Sequence, residues 1–362
     1  MQEKDILFIK KTFKLAKKAE GFTSPNPLVG ALIVKNNKII SSGYHKKAGF
    51  PHAEIEAIRK AKENLKGATL YVNLEPCFHW GKTPPCVDEI IKRGIKRVVI
   101  ATYDPNPQVR GRSVEKLKKA GIEVKVGMLE PEARKINEVF FKNMEKNLPF
   151  VVAKVAQSLD GKIATFKGQS KWITSQDTRL YAKKLRDKYD AVCVGINTVI
   201  KDNPSLEGFK KSPYKIVIDP HLKIPFSSKL VKNSKSNLII FSKKESLRKK
   251  RKVEYLKKIA QIYFLAQKEF TLKNITKILY KEKNICSVFV EGGSFTLGRF
   301  FDERLVDKIY FFYAPKIIGG EKNITSVGGE GISDLKKALK IKDLEVKKKG
   351  EDFLVTGYVC QK

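Results

Sequence analysis

The chain has 362 residues and a formal net charge of +35, with 73 Lys and Arg against 38 Asp and Glu. That length exceeds what one hydrophobic core usually supports and predicts two domains, while an apolar content of 42% excludes wholesale disorder. No apolar run reaches the roughly 18–20 residues of a membrane span, and the N-terminus lacks the apolar stretch of a signal peptide, so we expect a cytoplasmic protein with no membrane partner.

The positive charge is spread along the chain and forms no basic tail. Residues 1–150 carry 29 basic and 16 acidic side chains, and residues 151–362 carry 44 and 22. Only 12 of the basic residues are Arg, the side chain that suits bidentate contacts to phosphates and bases. We therefore expect no nucleic-acid partner and interpret the charge mainly as lysine-rich solvated surface. Attraction of small anionic ligands is the second interpretation.

Helical and strand patterns alternate through the first half, which predicts an α/β domain. The predicted elements are a helix over 5–20, strands over 28–34 and 38–44, a helix over 54–65, a strand over 69–74, a helix over 85–93, a strand over 97–101, a helix over 113–120, a strand over 122–126 and a helix over 130–146. The pattern restarts after Lys146-Asn147-Leu148-Pro149, which predicts domains 1–147 and 148–362.

The second half alternates in the same way and predicts a second α/β domain. The predicted strands cover 150–156, 191–194, 215–219, 238–241, 262–265, 287–290, 306–313 and 353–359, and the predicted helices lie near 175–188, 244–260 and 271–282 and directly after Gly293. The segment 203–236 is rich in Pro, Ser and Lys, which predicts surface loops.

Three potential metal ligands and a carboxylate follow a recognisable order in the first half: His52-Ala53-Glu54, then Pro76-Cys77, then Pro85-Cys86. One imidazole and two thiolates suit tetrahedral Zn²⁺ with a fourth position open to water. Glu54 would pass a proton from that water to a leaving amine, provided that both it and His52 lie at the start of a helix. This order is the signature of zinc deaminases, although eight residues separate these two Cys and two separate them in the general signature.

A glycine-rich turn marks the second half. Glu291-Gly292-Gly293-Ser294, followed by Gly298, lies between a predicted strand and a predicted helix. Backbone N–H groups in such a turn can approach a pyrophosphate at the helix N-terminus. The G-x-G-x-x-G spacing of a Rossmann fold is absent. By itself the pattern fits an ordinary turn into a helix at least as well.

Over residues 5–358 the motifs together resemble one family. The first half contains Ser24-Pro25-Asn26-Pro27-Leu28-Val29-Gly30, Gly43-Tyr44-His45, His52-Ala53-Glu54, Leu74-Glu75-Pro76-Cys77, Gly81-Lys82-Thr83-Pro84-Pro85-Cys86 and Asp104-Pro105-Asn106-Pro107. The second half contains Ser158-Leu159-Asp160-Gly161-Lys162, Ser170-Lys171-Trp172, Asp202-Asn203-Pro204-Ser205-Leu206, Val290-Glu291-Gly292-Gly293 and Ala314-Pro315-Lys316-Ile317-Ile318-Gly319-Gly320. On these residues the chain resembles the bifunctional deaminase–reductases of riboflavin biosynthesis (RibD/RibG type), in which the same eight-residue interval separates the Cys pair.

The resemblance implies a cytidine-deaminase-like three-layer α/β/α domain followed by a dihydrofolate-reductase-like α/β domain. The first would use one Zn²⁺ per chain to remove the 2-amino group of 2,5-diamino-6-ribosylamino-4(3H)-pyrimidinone 5′-phosphate. The second would use NADPH to reduce the ribosyl group, giving 5-amino-6-ribitylamino-uracil 5′-phosphate. The implied partners are this small phosphorylated pyrimidine and further copies of the chain in a homo-oligomer.

The resemblance also assigns roles to individual residues. It makes Glu54 catalytic and His52, Cys77 and Cys86 the zinc ligands. Substrate contacts would come from Asn26, His45, Lys82 and Asn106 in the first domain and from Ser170, Arg186, Leu206 and Glu291 in the second. NADPH contacts would come from Ala156, Trp172, Thr198, Asp202, Gly293, Ser294, Phe295, Thr296, Leu297, Gly298 and Arg299. The family often has an Arg shortly after the position of Leu206; here Lys210 stands nearby, and its role as phosphate partner is left open.

Two other classes of function compete with this interpretation. A polynucleotide deaminase with a basic targeting domain would use the same zinc chemistry on a flipped base, and it requires duplex binding that weakens steeply with salt. A metal-stabilised scaffold with a vestigial reductase would be indifferent to loss of the Glu54 carboxylate. The motifs of the second half favour the small-molecule enzyme over both.

Overall fold

The computed structural model describes residues 2–78, 80, 84–234 and 236–360. Lys82, which the resemblance assigns to the substrate, lies outside these residues. The chain divides into two compact units, Met1–Asn147 and Leu148–Lys362. Within the described part of the chain, no helix is both long and apolar enough to cross a membrane.

Unit 1 is a five-stranded sheet with helices on both faces. Its helices are α1 (Gln2–Ala16), α2 (Ala53–Lys60), α3 (Cys86–Lys92), α4 (Arg112–Lys119), α5 (Glu130–Ile136) and α6 (Glu138–Lys146), with a short 3₁₀ helix at Lys17–Ala19. Its strands are β1 (Gly30–Lys35), β2 (Lys38–Tyr44), β3 (Thr69–Val72), β4 (Arg97–Ile100) and β5 (Glu123–Val126). The strand order is β2-β1-β3-β4-β5, in which β1 is antiparallel to both neighbours and β3, β4 and β5 are parallel.

The alternation of buried residues along β1 explains the three layers. Ala31 and Ile33 belong to one core, which contains residues of α2, α3 and α4, whereas Leu32 and Val34 belong to a second core with residues of α1 and α5. Successive side chains of a strand point to opposite faces, so both faces of the sheet are covered. This confirms the predicted α/β/α arrangement.

Gly43 brings α2 close to the sheet. A Cβ at this position of β2 would lie 2.4 Å from the Ala53 carbonyl oxygen and 2.6 Å from the Ala57 backbone nitrogen. Only glycine permits this approach between strand and helix. The first turn of α2, which contains Glu54, is therefore held against β2.

Asp5 joins α1 to the sheet through buried hydrogen bonds. Its carboxylate accepts two bonds from the Arg97 guanidinium on β4 and one from the Tyr71 hydroxyl on β3, each 2.8 Å long. The bonds from Arg97 lower the pKa of Asp5, although burial acts against them. The charged form of Asp5 is thus stabilised by the folded state.

Asp5→Asn is expected to lower the free energy of unfolding of unit 1 by about 3 kcal/mol, because it deprives Arg97 of its buried counter-charge. Since the folded-state pKa of Asp5 lies below its unfolded value of about 3.9, this stabilisation is present above the unfolded pKa and is lost as the pH falls through the folded value. Calorimetry should therefore show a difference in stability between the parent protein and Asp5→Asn that is largest at neutral pH and becomes smaller at acid pH.

The matched control is Glu123→Gln. The Glu123 carboxylate accepts from the same guanidinium at 2.8 Å, but its side chain is 65% exposed. This substitution should cost less than about 1 kcal/mol. Equal losses in the two variants would contradict the importance of the buried carboxylate.

Unit 2 has eleven strands in the described residues, and nine of them form one sheet. Its strands are β6 (Phe150–Ser158), β7 (Lys162–Ala164), β8 (Ala191–Gly195), β9 (Tyr214–Ile218), β10 (Leu238–Lys243), β11 (Gln261–Leu265), β12 (Ser287–Val290), β13 (Lys308–Ala314), β14 (Ile324–Thr325), β15 (Ile341–Lys349) and β16 (Asp352–Val359). Its helices are α7 (Gln176–Arg186), α8 (Ile196–Asp202), α9 (Lys229–Lys232), α10 (Lys250–Lys257), α11 (Leu272–Lys283) and α12 (Ser294–Asp302), with 3₁₀ helices at Lys244–Arg248, Gln267–Glu269 and Leu335–Lys337.

The strand order in this sheet is β11-β10-β9-β8-β12-β6-β13-β16-β15. The pairings from β11 to β13 are parallel, and β16 is antiparallel to both of its neighbours. Along β8, Ala191 and Cys193 belong to one core and Val192 and Val194 to another, so this sheet too is buried on both faces. Strands β7 and β14 form a separate pair.

Several sequence predictions were wrong in detail. Outside the correctly predicted strand β9, the segment 203–236 does not form only surface loops: it contains α9 and buries Leu222, Ile224, Leu230 and Val231 in a core. These four apolar side chains outweigh the polar composition around them. Strand β15 was not predicted, because its lysine-rich sequence lacks an apolar pattern and is recruited by pairing with β16. The predicted helix over 130–146 is two helices that meet at Asn137.

Candidate active sites

Two of the three potential metal ligands of the first site lie at the N-terminal ends of helices. His52 is the residue that precedes α2, Cys86 begins α3, and Cys77 follows β3. The ligand atoms of the three residues lie within 4.8 Å of one another. His52 Nδ1 is 3.2 Å from Cys86 Sγ and 3.4 Å from Cys77 Sγ, and the Cys86 backbone N–H donates to Cys77 Sγ at 3.1 Å.

The electrostatics of this cluster favour a cation. Hydrogen bonding to Cys86 and to His52 lowers the pKa of Cys77 to about 4, although burial opposes this. The bond to Cys77 raises the pKa of His52 to about 9. The thiol of Cys86 donates to the Cys77 thiolate, so its own pKa is raised. A thiolate, a thiol and an imidazole that share protons at these distances are a donor set that fits Zn²⁺, which displaces protons from such ligands.

Glu54 lies beside the cluster in the first turn of α2 and is 3% exposed. Burial raises the pKa of its carboxyl to about 7, although the neighbouring His52 acts in the opposite direction. Near neutral pH both the carboxylate and the carboxylic acid are therefore populated, which is the property of a group that accepts and then returns a proton. The predicted position of His52 and Glu54 at the start of a helix is confirmed.

Asn26 and His45 lie next to the cluster. Asn26 Nδ2 is 3.0 Å from His45 Nε2, and His45 Nδ1 is 3.1 Å from the Pro51 carbonyl oxygen. The rings of His45 and His52 meet edge to face at 5.5 Å. Burial lowers the pKa of His45. The neutral ring therefore donates from Nδ1 to the carbonyl and accepts at Nε2 from the Asn26 amide.

Two buried asparagines that the sequence analysis did not assign to the site hold the segment after Asn26. The amides of Asn73 and Asn137 both donate to the Leu28 carbonyl, at 2.8 and 3.0 Å. Asn73 Oδ1 also accepts from the Gly30 backbone N–H at 2.7 Å, and Asn137 Oδ1 accepts from that of Leu28 at the same distance. No sequence pattern marks these contacts, since Asn73 and Asn137 are 64 positions apart.

Asn106 lies on the loop between β4 and α4, which the buried carboxylate of Glu75 holds. Glu75 accepts from the Ser113 hydroxyl at 2.6 Å and from the backbone N–H groups of Gly111 and Asp104 at 3.0 and 3.3 Å. Asp104 Oδ1 in turn accepts from the Asn106 N–H at 2.8 Å. Since Glu75 stands two residues before Cys77, the Asn106 loop and a metal-binding residue share one anchor.

A buried ion cluster in unit 2 brings Arg186 and Glu291 together. The Arg186 guanidinium donates twice to the Glu291 carboxylate, at 2.5 and 3.0 Å, and Lys154 Nζ lies 3.6 Å from the same carboxylate. Burial alone would raise the pKa of Glu291, but Arg186 and Lys154 lower it to about 2. Lys154 was not among the predicted site residues, because its position on β6 carries no local motif that indicates a function.

Ser170, Trp172 and Asp202 form a second polar group in unit 2. The Ser170 hydroxyl donates to Asp202 Oδ1 at 3.0 Å, and Lys171 Nζ donates to the Asp202 carbonyl at 3.1 Å. The Trp172 indole is 62% exposed, and the Arg179 guanidinium lies 4.2 Å from its ring centroid. An exposed aromatic face held by a cation is a surface on which a planar ring can stack.

The glycine-rich turn precedes α12, as predicted. A Cβ at Gly292 would lie 2.6 Å from Thr296 Cβ, so glycine is required there. Gly293 is the residue that precedes the helix, and a Cβ there would lie 3.7 Å from the Thr198 hydroxyl, so α8 and α12 begin side by side.

The remaining assigned residues of unit 2 are dispersed around these groups. Ala156 lies on β6, and Leu206 is buried with a left-handed backbone (φ 55°). Phe295 is exposed, whereas Leu297 and Gly298 are buried on α12. Arg299 pairs with Glu303 at 3.2 Å and lies 3.9 Å from Glu330.

Comparison with known proteins gives the class first. Residues 2–102 match the family model of the cytidine and deoxycytidylate deaminase zinc-binding region, and residues 149–355 match that of the RibD C-terminal domain. The chain thus combines a zinc-binding deaminase domain with a reductase domain, which confirms the predicted fold class.

The relatives then identify the family. The chain is 48% identical to the riboflavin biosynthesis protein RibD of Aquifex aeolicus (strain VF5) over 98% of both chains. Among solved structures it is similar to Acinetobacter baumannii RibD (34% identity, TM-score 0.89, 100% of each chain). It is also similar to a diaminohydroxyphosphoribosylaminopyrimidine deaminase/5-amino-6-(5-phosphoribosylamino)uracil reductase from Thermotoga maritima (39%, 0.85, 99% of each chain).

The chain belongs to the RibD family. It is a bifunctional deaminase and reductase of riboflavin biosynthesis, with a zinc-binding deaminase domain and an NADPH-dependent reductase domain, and its substrate is a small molecule.

Proposed function

We propose that residues 1–147 deaminate 2,5-diamino-6-ribosylamino-4(3H)-pyrimidinone 5′-phosphate and that residues 148–362 reduce the ribosyl group of the product with NADPH. The observation that carries the first step is the convergence of His52, Cys77 and Cys86 within 4.8 Å beside the buried carboxylate of Glu54. A closed structural zinc site has four protein ligands. Three ligands and an adjacent acid–base group are the composition of a hydrolytic site.

In this proposal Glu54 is the catalytic proton carrier. His52, Cys77 and Cys86 would hold the Zn²⁺, which when bound would supply a Lewis acid that lowers the pKa of a water molecule. Glu54 takes a proton from the attacking water and delivers it to the departing nitrogen, so that the C–N bond breaks and ammonia leaves. A pKa of about 7 suits both halves of this transfer.

The side chains around Glu54 would orient the pyrimidine. The amide of Asn26 and the neutral ring of His45 form a hydrogen-bonded pair beside His52 and offer a fixed donor and acceptor pattern to the ring. Asn106 would contact the substrate from the loop that Glu75 anchors. Lys82 would supply a cation for the phosphate.

In the reductase, NADPH supplies a hydride to the ribosyl group. The beginnings of α8 and α12 would bind its phosphates, through Thr198 and residues 293–299, and Trp172, Asp202 and Ala156 would bind the rest of the cofactor. Ser170, Leu206, Arg186 and Glu291 would hold the substrate. Lys154 joins this group, because it shares the Glu291 carboxylate with Arg186.

A coupled assay tests both reactions. The diaminopyrimidine nucleotide is supplied first without and then with NADPH, while ammonia release and NADPH absorbance are followed. We expect ammonia in both mixtures and NADPH oxidation only after deamination. NADPH oxidation that starts before ammonia release would contradict the proposed order, and the absence of ammonia from zinc-loaded protein would contradict the deaminase assignment.

The proposal also includes a cytoplasmic location and a homo-oligomeric state. In support of the latter, the edge strand β15 exposes the apolar side chains of Leu344 and Val346 to the extent of 56% and 60%. These two side chains form an exposed apolar surface beside the unpaired backbone groups of the edge, which another chain can cover. Light scattering of the purified protein measures the oligomeric state directly.

A further inference from the structure

A buried lysine lies behind the ion cluster of the reductase unit. Lys215 on β9 is only 1% exposed, and the next two residues of the strand, Ile216 and Val217, belong to apolar cores. Burying an ammonium group is costly unless it is paired. Its partner is the carboxylate of Glu207, with which Lys215 forms a short ion pair.

Glu207 connects this ion pair to Arg186. Its backbone carbonyl accepts a hydrogen bond of 2.8 Å from Arg186 Nη1. The other side of the same guanidinium makes the two bonds to Glu291. A contiguous series of contacts therefore runs from the ammonium of Lys215 through the Glu207 side chain and backbone to Arg186.

The segment 206–211 contains an unfavourable backbone conformation. Leu206 precedes Glu207 with a left-handed backbone (φ 55°), which is unfavourable for a branched side chain. Such a conformation persists where surrounding contacts hold it. On the far side of the segment, the backbone N–H groups of residues 209–211 donate to the Asp187 carboxylate at 2.9–3.0 Å.

The two anchors hold different parts of the segment. Asp187 holds residues 209–211, and a Cβ at Gly208 would lie 2.2 Å from its Oδ1, so the chain passes close to it. Lys215 holds the Glu207 side chain, next to the carbonyl that faces Arg186. Lys215 is therefore one of the groups that anchor the part of the segment in contact with Arg186.

We propose that Lys215 is a positioning residue of the reductase: through Glu207 it fixes Leu206 and the Glu207 carbonyl, and so sets the orientation of Arg186 against the substrate. The proposal rests on the substrate-binding role given above to Arg186 and Leu206. The lysine of this ion pair is buried and its Glu207 partner is 36% exposed. Such a pair is weak grounds for a role in stability, because an apolar side chain of similar volume is often tolerated in place of a buried charge. Orientation of the segment is the function that the contacts support.

The test uses the full-length enzyme with Lys215→Met, which keeps an unbranched apolar side chain of similar volume and removes the charge. We expect the KM for the deaminated pyrimidine to rise about tenfold, with a smaller change in kcat, because substrate positioning is lost while the reacting groups remain. Lys215→Arg, which can re-form the ion pair with Glu207, should have a KM within about threefold of that of the parent enzyme. Ammonia release by the deaminase unit should be unchanged, and an unchanged circular dichroism spectrum with cooperative thermal unfolding shows that the reductase unit of the variant is folded.

Hydrogen exchange separates this proposal from the proposed function. In Lys215→Met the amides of residues 206–208 should exchange faster than in the parent enzyme, whereas those of residues 209–211, which Asp187 holds, should not; this comparison applies whether or not the parent reduces the deaminated pyrimidine. A parent enzyme without reductase activity would overturn the proposed function alone. A folded Lys215→Met variant with unchanged KM, or with unchanged exchange in this segment, would overturn the positioning role of Lys215.

Discussion

Glu54→Gln is expected to reduce the rate of ammonia release by about 10³-fold, because an amide cannot take a proton from water and return it to the leaving nitrogen. The substitution preserves the size of a side chain that is buried in the first turn of α2. Zinc content and the reduction of deaminated substrate should stay at the level of the parent enzyme. Steady-state ammonia release, metal analysis and NADPH oxidation measure the three quantities.

Glu56→Gln is the matched control for this substitution. Glu56 lies on the same helix, two residues from Glu54, and its carboxylate pairs with Lys60 at 3.1 Å and with Lys46 at 3.9 Å. Its replacement should leave ammonia release within about twofold of the parent rate, since surface ion pairs contribute little. If Glu54→Gln released ammonia at the parent rate with zinc bound, Glu54 could not be the proton carrier.

Cys77→Ser is expected to abolish both zinc binding and ammonia release while leaving the reduction of deaminated substrate within about twofold of the parent rate. The folded protein lowers the pKa of the Cys77 thiol to about 4 and so presents a thiolate at neutral pH, whereas a serine hydroxyl stays protonated and is a poor ligand for zinc. Zinc per chain and the two separate reaction rates measure the outcome.

Cys360→Ser serves as the control, because Cys360 is only partly buried and follows the last strand β16. It should keep zinc and both activities. Loss of both reactions in a Cys77→Ser variant that remains folded would contradict the independence of the two catalytic units. Loss of zinc without loss of ammonia release would contradict a zinc-dependent deamination.

Local sequence patterns predicted that His52, Cys77 and Cys86 converge, because each of them sits in a short motif with a structural reason. His52 and Cys86 stand where apolar periodicity starts a helix, and Cys77 lies in the loop five residues after the end of the buried strand β3. The same local signals predicted β2 over Lys38–Tyr44 and the turn before α12. In each case the informative residues are within a few positions of one another.

Long-range contacts carried no such signal. Lys154 reaches Glu291 across 137 positions, and Glu75 anchors a loop that ends 38 positions later. Neither side chain belongs to a local motif that reveals its partner. The buried segment around Leu222 and Ile224 was also mispredicted, because composition alone could not show that β9 and β10 place it against a core.

The sequence by itself determined the α/β class of both domains, most of their elements and the residue types available for zinc chemistry, since these depend on periodicity and on motifs of a few residues. Only the tertiary structure decided which distant groups meet: Arg97 with the buried Asp5, Lys154 and Arg186 with Glu291, and Lys215 with Glu207. The physical reason is that a buried charge is tolerated only beside its partner. The fold selects that partner from any part of the chain.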